Sequence, residues 1–132
     1  MIIRFDALGI TVSDMAETLR FYRLLGLDVP PQQESEGHVE ITLQNGTRLM
    51  FDTEETVRSF DPDYQPPIGS GRTSLAFLCR TTEELEARVE IVRSAGYRVR
   101  REPFDAFWGQ RYATILDPDG TPIDLFAQLT AA

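Results

Sequence analysis

The chain has 132 residues, of which 42% are hydrophobic and 26% charged, an ordinary composition for one soluble globular domain. Its formal net charge is −8, and it has no cluster of Lys and Arg, which argues against nucleic-acid binding and favours neutral or cationic partners. No apolar stretch is long enough to span a bilayer, so we expect no membrane partner. The single cysteine, Cys79, excludes an internal disulfide and favours the cytoplasm.

The first half of the chain predicts a strand, a helix, further strand signals and a hairpin. Asp14 and Glu17 form a capping-box pattern at the start of the helix, and Gly26 can take the left-handed conformation that ends it. Asn45-Gly46 is a strong hairpin signal because alternating residues flank it. The expected boundaries are Ile2–Val12 for the strand, which we prefer to a signal peptide, Asp14–Leu25 for the helix, and Val39–Leu43 and Arg48–Phe51 for the hairpin.

A connection of about residues 54–71 is expected between the two halves. A short helix is predicted within it at Glu54–Ser59. A long structured connection in a small domain is often functional. Its aromatic residues, Phe60 and Tyr64, indicate that it packs against another part of the molecule.

The second half repeats the order of the first. A strand is expected at Thr73–Cys79 and a helix at Thr82–Ala95, which Gly96 ends as Gly26 ends the first helix. Asp117-Pro118-Asp119-Gly120 has the composition of a type I turn and predicts a hairpin. Its strands are expected at Arg111–Leu116 and Ile123–Phe126.

This internal repeat predicts the fold class, because repeated units of one order form a symmetrical architecture. We expect one α+β domain made of two βαβββ modules with curved mixed sheets. Module 1 is expected over about residues 1–53 and module 2 over about residues 72–129.

Several motifs resemble the vicinal-oxygen-chelate superfamily, which includes glyoxalases, extradiol dioxygenases and bleomycin-resistance proteins. The resemblance covers essentially the whole chain and rests on Ile10–Met15, Phe21-Tyr22, Leu25-Gly26 and Asp117–Leu125. It implies two βαβββ modules that are paired or swapped in a homodimer.

Within that superfamily the chain is most similar to the mitomycin-binding drug-resistance proteins. The segments Arg48–Pro62 and Trp108–Ala113 carry this similarity, and His38 falls in a matching place. The resemblance implies a metal-free homodimer that sequesters a drug in clefts between subunits.

The metal-ligand positions of the superfamily are altered in this sequence. The resemblance places Ala7 and Ser74 where its enzymes have histidines, and Asp124 where they have a closing glutamate. One His and one Cys exclude a zinc site of ordinary spacing, whereas an all-carboxylate magnesium or calcium site remains possible. We therefore expect no metal and no cofactor, and we assign no catalytic residue.

The candidate ligand-binding residues are mainly aromatic, since flat rings stack on planar ligands. For Phe104 and Tyr112, core packing and ligand contact are equal alternatives, and for Arg111 the alternative is an ion pair with an acidic neighbour. His38 and Trp108 are hypothesised to sandwich the ligand. The full set is His38, Phe51, Asp52, Phe60, Tyr64, Phe104, Trp108, Arg111 and Tyr112.

Two functions follow from these features. The favoured one is sequestration of a planar or cationic small molecule, such as a mitomycin-like or bleomycin-like antibiotic. The alternative is a metal-dependent, glyoxalase-like or dioxygenase-like enzyme that acts on a small oxygenated metabolite.

Overall fold

The computed structural model describes residues 2–69 and 71–129. The chain divides into two compact units, one up to Pro66 and one from Pro67. No helix in the described residues is long and apolar enough to cross a membrane. The elements in chain order are β1 Ala7–Val12, α1 Met15–Leu24, a 3-10 helix Pro31–Ser35, β2 His38–Thr42, β3 Arg48–Thr53, α2 Glu54–Arg58, β4 Leu75–Leu78, α3 Thr82–Ser94, β5 Val99–Ala106, β6 Gln110–Leu116 and β7 Pro122–Gln128.

The first unit contains a three-stranded sheet in the order β1-β3-β2. The central strand β3 runs parallel to β1 and antiparallel to β2. One face of this sheet packs on α1, where the rings of Tyr22 and Phe51 have centroids 5.0 Å apart. The core of the unit lies between this face and the helix, and its fully buried side chains include Val12, Leu19, Tyr22, Val39 and Phe51.

The second unit contains a four-stranded sheet in the order β4-β7-β6-β5. The strand β7 is parallel to β4 and antiparallel to β6, which is in turn antiparallel to β5. Because side chains alternate along a strand, one face of β6 and β7 is apolar and packs on α3. The fully buried residues of this core are Leu85, Val89, Val92, Ala113, Ile115, Ile123, Leu125 and Ala127.

Together the two mixed sheets and their helices confirm the α+β class. The helix boundaries are also close to those expected. Asp14 and Thr81 cap α1 and α3 by accepting hydrogen bonds from the backbone N–H groups of Glu17 and Glu84. Gly26 and Gly96 follow the helix ends with φ of 93° and 94°, a conformation that other residues rarely adopt.

Module 1 differs from the expected βαβββ order because its sheet has three strands. A 3-10 helix, Pro31–Ser35, occupies the segment in which strand signals were expected after Gly26. Proline has no N–H to donate to a strand ladder, and two of them stand in succession at Pro30 and Pro31. The Arg23 guanidinium donates to the carbonyls of Val29 and Pro30, which removes the acceptors that a strand partner would use.

The first strand and the short helix of the connection also differ in detail from the expectation. The first strand begins at Ala7 rather than Ile2, since its partner β3 begins at Arg48, which pairs with Ala7. The short helix expected in the connection is present as α2, and it packs against β1 and β3 within the first unit.

Candidate functional site

The second unit has a sheet face rich in aromatic and polar groups, opposite the face that packs on α3. The strand registers place Phe104, Tyr112 and Phe126 side by side on β5, β6 and β7. Thr114 and Asp124 form the next row of the same face. We call the set Phe104, Trp108, Tyr112, Thr114, Asp124 and Phe126 the ring face.

The aromatic groups of the ring face form a continuous run. Tyr112 and Phe126 are stacked, with centroids 6.4 Å apart and an interplanar angle of 27°. Trp108 is in the turn between β5 and β6, and its ring lies 5.4 Å from Tyr112 and 6.4 Å from Phe104, in both cases nearly perpendicular. Phe107 extends the run beyond Trp108 with a centroid distance of 5.0 Å. Trp108 is 49% exposed and Phe107 96% exposed, so the end of the run is accessible.

A hydrogen bond and edge-to-face contacts with neighbouring rings together fix the exposed indole of Trp108. The Trp108 Nε1–H donates to Oε1 of Gln110 at 2.8 Å. Such edge-to-face contacts between rings are worth about 0.5–1.5 kcal/mol beyond the burial of area. The turn therefore presents a largely preformed aromatic surface.

A carboxylate lies beside the rings, held by hydroxyl groups. Oδ2 of Asp124 accepts hydrogen bonds from Ser74 at 3.1 Å and Tyr112 at 2.8 Å, and Oδ1 accepts one from Thr114 at 2.8 Å. In the described part of the chain Asp124 forms no ion pair. Tyr112 connects the two parts of the site, because its ring belongs to the aromatic run and its hydroxyl to the carboxylate.

Burial raises the pKa of Tyr112 to about 12, and the hydrogen bond to the Asp124 carboxylate acts in the same direction. The phenol therefore remains a neutral donor at physiological pH. Asp124 is consequently paired with a hydroxyl that keeps its proton.

The first unit has a charged sheet face, opposite the one that packs on α1. His38 and Asp52 are cross-strand partners, with Nδ1 of the imidazole 2.5 Å from Oδ1 of the carboxylate. The other ring nitrogen of His38 lies 3.7 Å from Glu40, which forms an ion pair with Arg48. Asp52 thus orients the imidazole, and the half-exposed ring of His38 can contact a ligand.

Two candidate residues point away from these faces. Phe51 is fully buried against Tyr22, so it belongs to the core of the first unit and is not exposed for the ligand contact that was expected of it. Arg111 lies on the α3 side of the second sheet and forms ion pairs with Glu86 and Asp105. Of the two alternatives for Arg111, the structure shows the ion pair.

The remaining aromatic candidates lie after α2. Phe60 is 73% exposed. The Arg58 guanidinium lies 5.6 Å from the centroid of the half-buried Tyr64 ring, a cation–π contact that fixes that ring. Ligand contact by Phe60 and Tyr64 therefore stays a prediction.

Sequence reasoning missed three residues that the structure adds. Phe126 and Thr114 follow Asp124 and Tyr112 by two positions, so strand alternation places each pair on one face. Met50 is the third, because it is the counterpart of Asp124 in the first module. Met50 pairs with Gly9, two residues after Ala7. In the same way, Asp124 pairs with Ala76, two residues after Ser74.

The equivalent positions of the two modules can be tested for whether their side chains could bind the divalent metal of the superfamily's enzymes. Ala7 has no donor atom and Met50 offers only a thioether, whereas hard and borderline divalent metals prefer oxygen and imidazole ligands. The hydroxyl of Ser74 is bonded to Asp124. Among residues 2–69 and 71–129, no group of three or more His, Cys, Asp or Glu could hold a metal ion. The donor set therefore does not fit such a metal.

Cys79 is also a poor nucleophile. Burial, followed by the nearby Glu84 carboxylate, raises the pKa of its thiol above the usual value. A raised pKa lowers the thiolate fraction, which is the reactive form.

Comparisons with known proteins agree with this architecture. The sequence model of the Glyoxalase/Bleomycin resistance protein/Dioxygenase superfamily matches residues 4–125. No curated protein matches the chain significantly.

Solved structures similar to the chain come from several bacteria. A glyoxalase/bleomycin resistance protein/dioxygenase family enzyme from Burkholderia phytofirmans has a TM-score of 0.82 at 17% identity, with 96% of this chain and 100% of that chain covered. A hypothetical protein from S. aureus has a TM-score of 0.78 at 20% identity, covering 96% and 94%. A glyoxalase-related enzyme from Fulvimarina pelagi has a TM-score of 0.77 at 18% identity, covering 96% and 89%.

The family match spans nearly the whole chain, and the neighbours share its fold. The chain belongs to the Glyoxalase/Bleomycin resistance protein/Dioxygenase superfamily.

Proposed function

We propose that the chain binds and sequesters a planar or cationic small molecule without transforming it. The class of ligand is that of a mitomycin-like or bleomycin-like antibiotic. The observation that carries this proposal is the continuous run of rings on the ring face, which ends at an exposed tryptophan and adjoins a carboxylate. Stacking on such a surface needs no metal and no acid or base.

The other candidate residues are also proposed ligand contacts. His38 is the proposed second stacking group, with Asp52 holding its imidazole in one orientation. Phe60 and Tyr64 remain proposed contacts because both are aromatic and neither is fully buried. The proposed assembly is a homodimer in the cytoplasm, in keeping with the resemblance to the mitomycin-binding proteins.

Fluorescence titration tests the proposal directly, because Trp108 is the only tryptophan in the chain. Planar antibiotics of the mitomycin and bleomycin classes should quench its emission saturably. Phe104→Ala, which removes one ring beside Trp108, should weaken binding on the order of tenfold. Ile91→Ala is the control, since Ile91 is 43% exposed on α3, on the opposite side of the sheet.

Two results would contradict the proposal. One is the absence of quenching with every planar compound. The other is unchanged binding by calorimetry after Trp108→Ala, with circular dichroism showing that the variant is folded.

The alternative remains a metal-dependent enzyme of the same superfamily. Two of the three neighbouring structures described above are named as enzymes, and Asp124 keeps a carboxylate at one metal-ligand position. Elemental analysis of the purified protein separates the two functions. A stoichiometric metal whose removal abolishes turnover would favour the enzyme over the sequestering protein.

A further inference from the structure

The three hydrogen bonds to Asp124 leave one acceptor position open. An ionised carboxylate has about four lone-pair positions. Ser74 and Tyr112 fill both positions of Oδ2, whereas Oδ1 accepts from Thr114 alone. The open position therefore belongs to Oδ1.

The groups that hold Asp124 carry no charge. All three are hydroxyls, and in the described residues no Arg or Lys side chain is paired with this carboxylate. Hydroxyl donors orient the anion but leave its charge uncompensated. A ligand with a positively charged donor would supply that charge and would also fill the open position.

The rings are arranged to receive the remainder of such a ligand. Tyr112 donates to Asp124 through its hydroxyl, and its ring stacks with that of Phe126, two residues beyond Asp124 on β7. A planar ligand lying on these rings therefore brings its edge to the carboxylate. Arg101, an exposed cation opposite Thr114 in the register, is the charged neighbour that opposes a cationic ligand.

We propose that Asp124 selects aromatic cations that carry an N–H donor, with the donor on Oδ1 and the ring on the ring face. The inference rests on the proposed function and adds the chemical class of ligand. In this proposal the polar row of the ring face, Thr114 and Asp124, determines specificity. The aromatic row, Phe104, Tyr112 and Phe126, provides affinity.

Three small probes separate charge from hydrogen bonding. Protonated 4-aminoquinoline is a cation with N–H donors, N-methylquinolinium is a cation without them, and quinoline is neutral and has none. A charge-assisted hydrogen bond predicts that 4-aminoquinoline binds on the order of tenfold more tightly than either of the others. Affinities are measured by Trp108 quenching and confirmed by calorimetry.

Variants identify the acceptor. Asp124→Asn should remove the preference, so that 4-aminoquinoline binds no more tightly than quinoline. Ser74→Ala keeps the carboxylate and frees a position on Oδ2, so the preference should be retained or increased. Arg101→Gln should strengthen the binding of both cations by removing a like charge.

The outcomes distinguish the inference from the function on which it rests. Equal quenching by all three probes, or loss of the preference in Ser74→Ala as in Asp124→Asn, overturns the selection by Asp124 and leaves planar-ligand binding standing. Failure of every probe to bind contradicts both.

Discussion

Tyr112 has two roles on the ring face, since its ring stacks with Phe126 and its hydroxyl donates to Asp124. Both roles require the neutral phenol. An ionised phenolate would face the Asp124 carboxylate and would lose the hydrogen bond. The residue therefore links the stability of this face to its protonation.

The pH dependence of stability follows from this link. The pKa of Tyr112 is raised from 10.0 to about 12 by burial and by Asp124, so the folded state favours the neutral form. The stabilisation is fully present below about pH 10 and is lost as pH rises through about 12. Denaturation at increasing pH should show this loss. Tyr112→Phe is the control, in which the loss specific to this residue disappears; an identical pH dependence in both proteins would refute the assignment.

A second residue-scale prediction concerns Thr18. Its side chain is fully buried in α1, and its hydroxyl has no hydrogen-bond partner among the described residues. Thr18→Val has a similar shape and removes the buried polar group, so we expect stabilisation of about 1 kcal/mol in urea denaturation. Thr56→Val is the matched control, because the Thr56 hydroxyl accepts from Thr53 and its loss should destabilise. Destabilisation by Thr18→Val would show that its hydroxyl is satisfied.

At this scale the sequence supports part of the site. The ring face could be predicted in outline because Phe104, Trp108 and Tyr112 are close together in the chain. Strand alternation alone separates Arg111 from Tyr112 and Phe51 from Asp52, since neighbours in a strand point to opposite faces. The hydrogen bonds from Ser74 and Thr114 to Asp124 depend on the register of β4, β6 and β7, which no local pattern specifies.

At the scale of elements, the junction between β2 and α2 is tightly packed. The carbonyl of Gly37 accepts from the backbone N–H of Thr53, the residue that caps α2. A Cβ added at Gly37 would lie 2.5 Å from Oγ1 of Thr56. That hydroxyl accepts a hydrogen bond from the Thr53 hydroxyl, so moving it away would break this bond.

Gly37→Ala is accordingly expected to destabilise the protein by about 1–3 kcal/mol, as overpacking does. Gly71→Ala is the matched control because nothing lies within 4 Å of its added Cβ. Urea denaturation measures both. Equal stabilities would mean that the junction relaxes freely. His38 follows Gly37 directly, so the variant should also weaken ligand binding if the imidazole is a contact.

Local chemistry accounts for most of the elements. The caps Asp14 and Thr81 and the turn at Asn45-Gly46 are short-range features, and the helices and hairpins they predict are present. The 3-10 helix Pro31–Ser35 could not be predicted in this way, because the contacts of Arg23 with Val29 and Pro30 depend on how the chain folds back on α1.

At the scale of the whole molecule, the repeat allows equivalent positions of the two halves to be compared. Both modules place a parallel strand pair beside a hairpin, and the equivalent positions hold Met50 in one and Asp124 in the other. The fold keeps the arrangement of the superfamily, and its two equivalent positions differ in chemistry, with a thioether in one module and a carboxylate in the other. Of the positions compared, Ser74 and Asp124 are joined by a hydrogen bond.

Dimerisation is expected at this scale. Each sheet has edge strands, and proteins generally cover exposed edges by pairing them or shielding them. Sedimentation equilibrium at micromolar concentration should give twice the 15.0 kDa mass of the chain. A monomer at that concentration would rule out a site formed between subunits.

Chemical-shift mapping by NMR tests the central claim most directly. Addition of a planar aromatic cation to isotopically labelled protein should shift the Trp108 indole N–H and the backbone amides around Phe104, Tyr112 and Asp124. Amides of α3, behind the sheet, should be unaffected. Shifts confined to α3, or no saturable shifts at the ring face, would contradict the account.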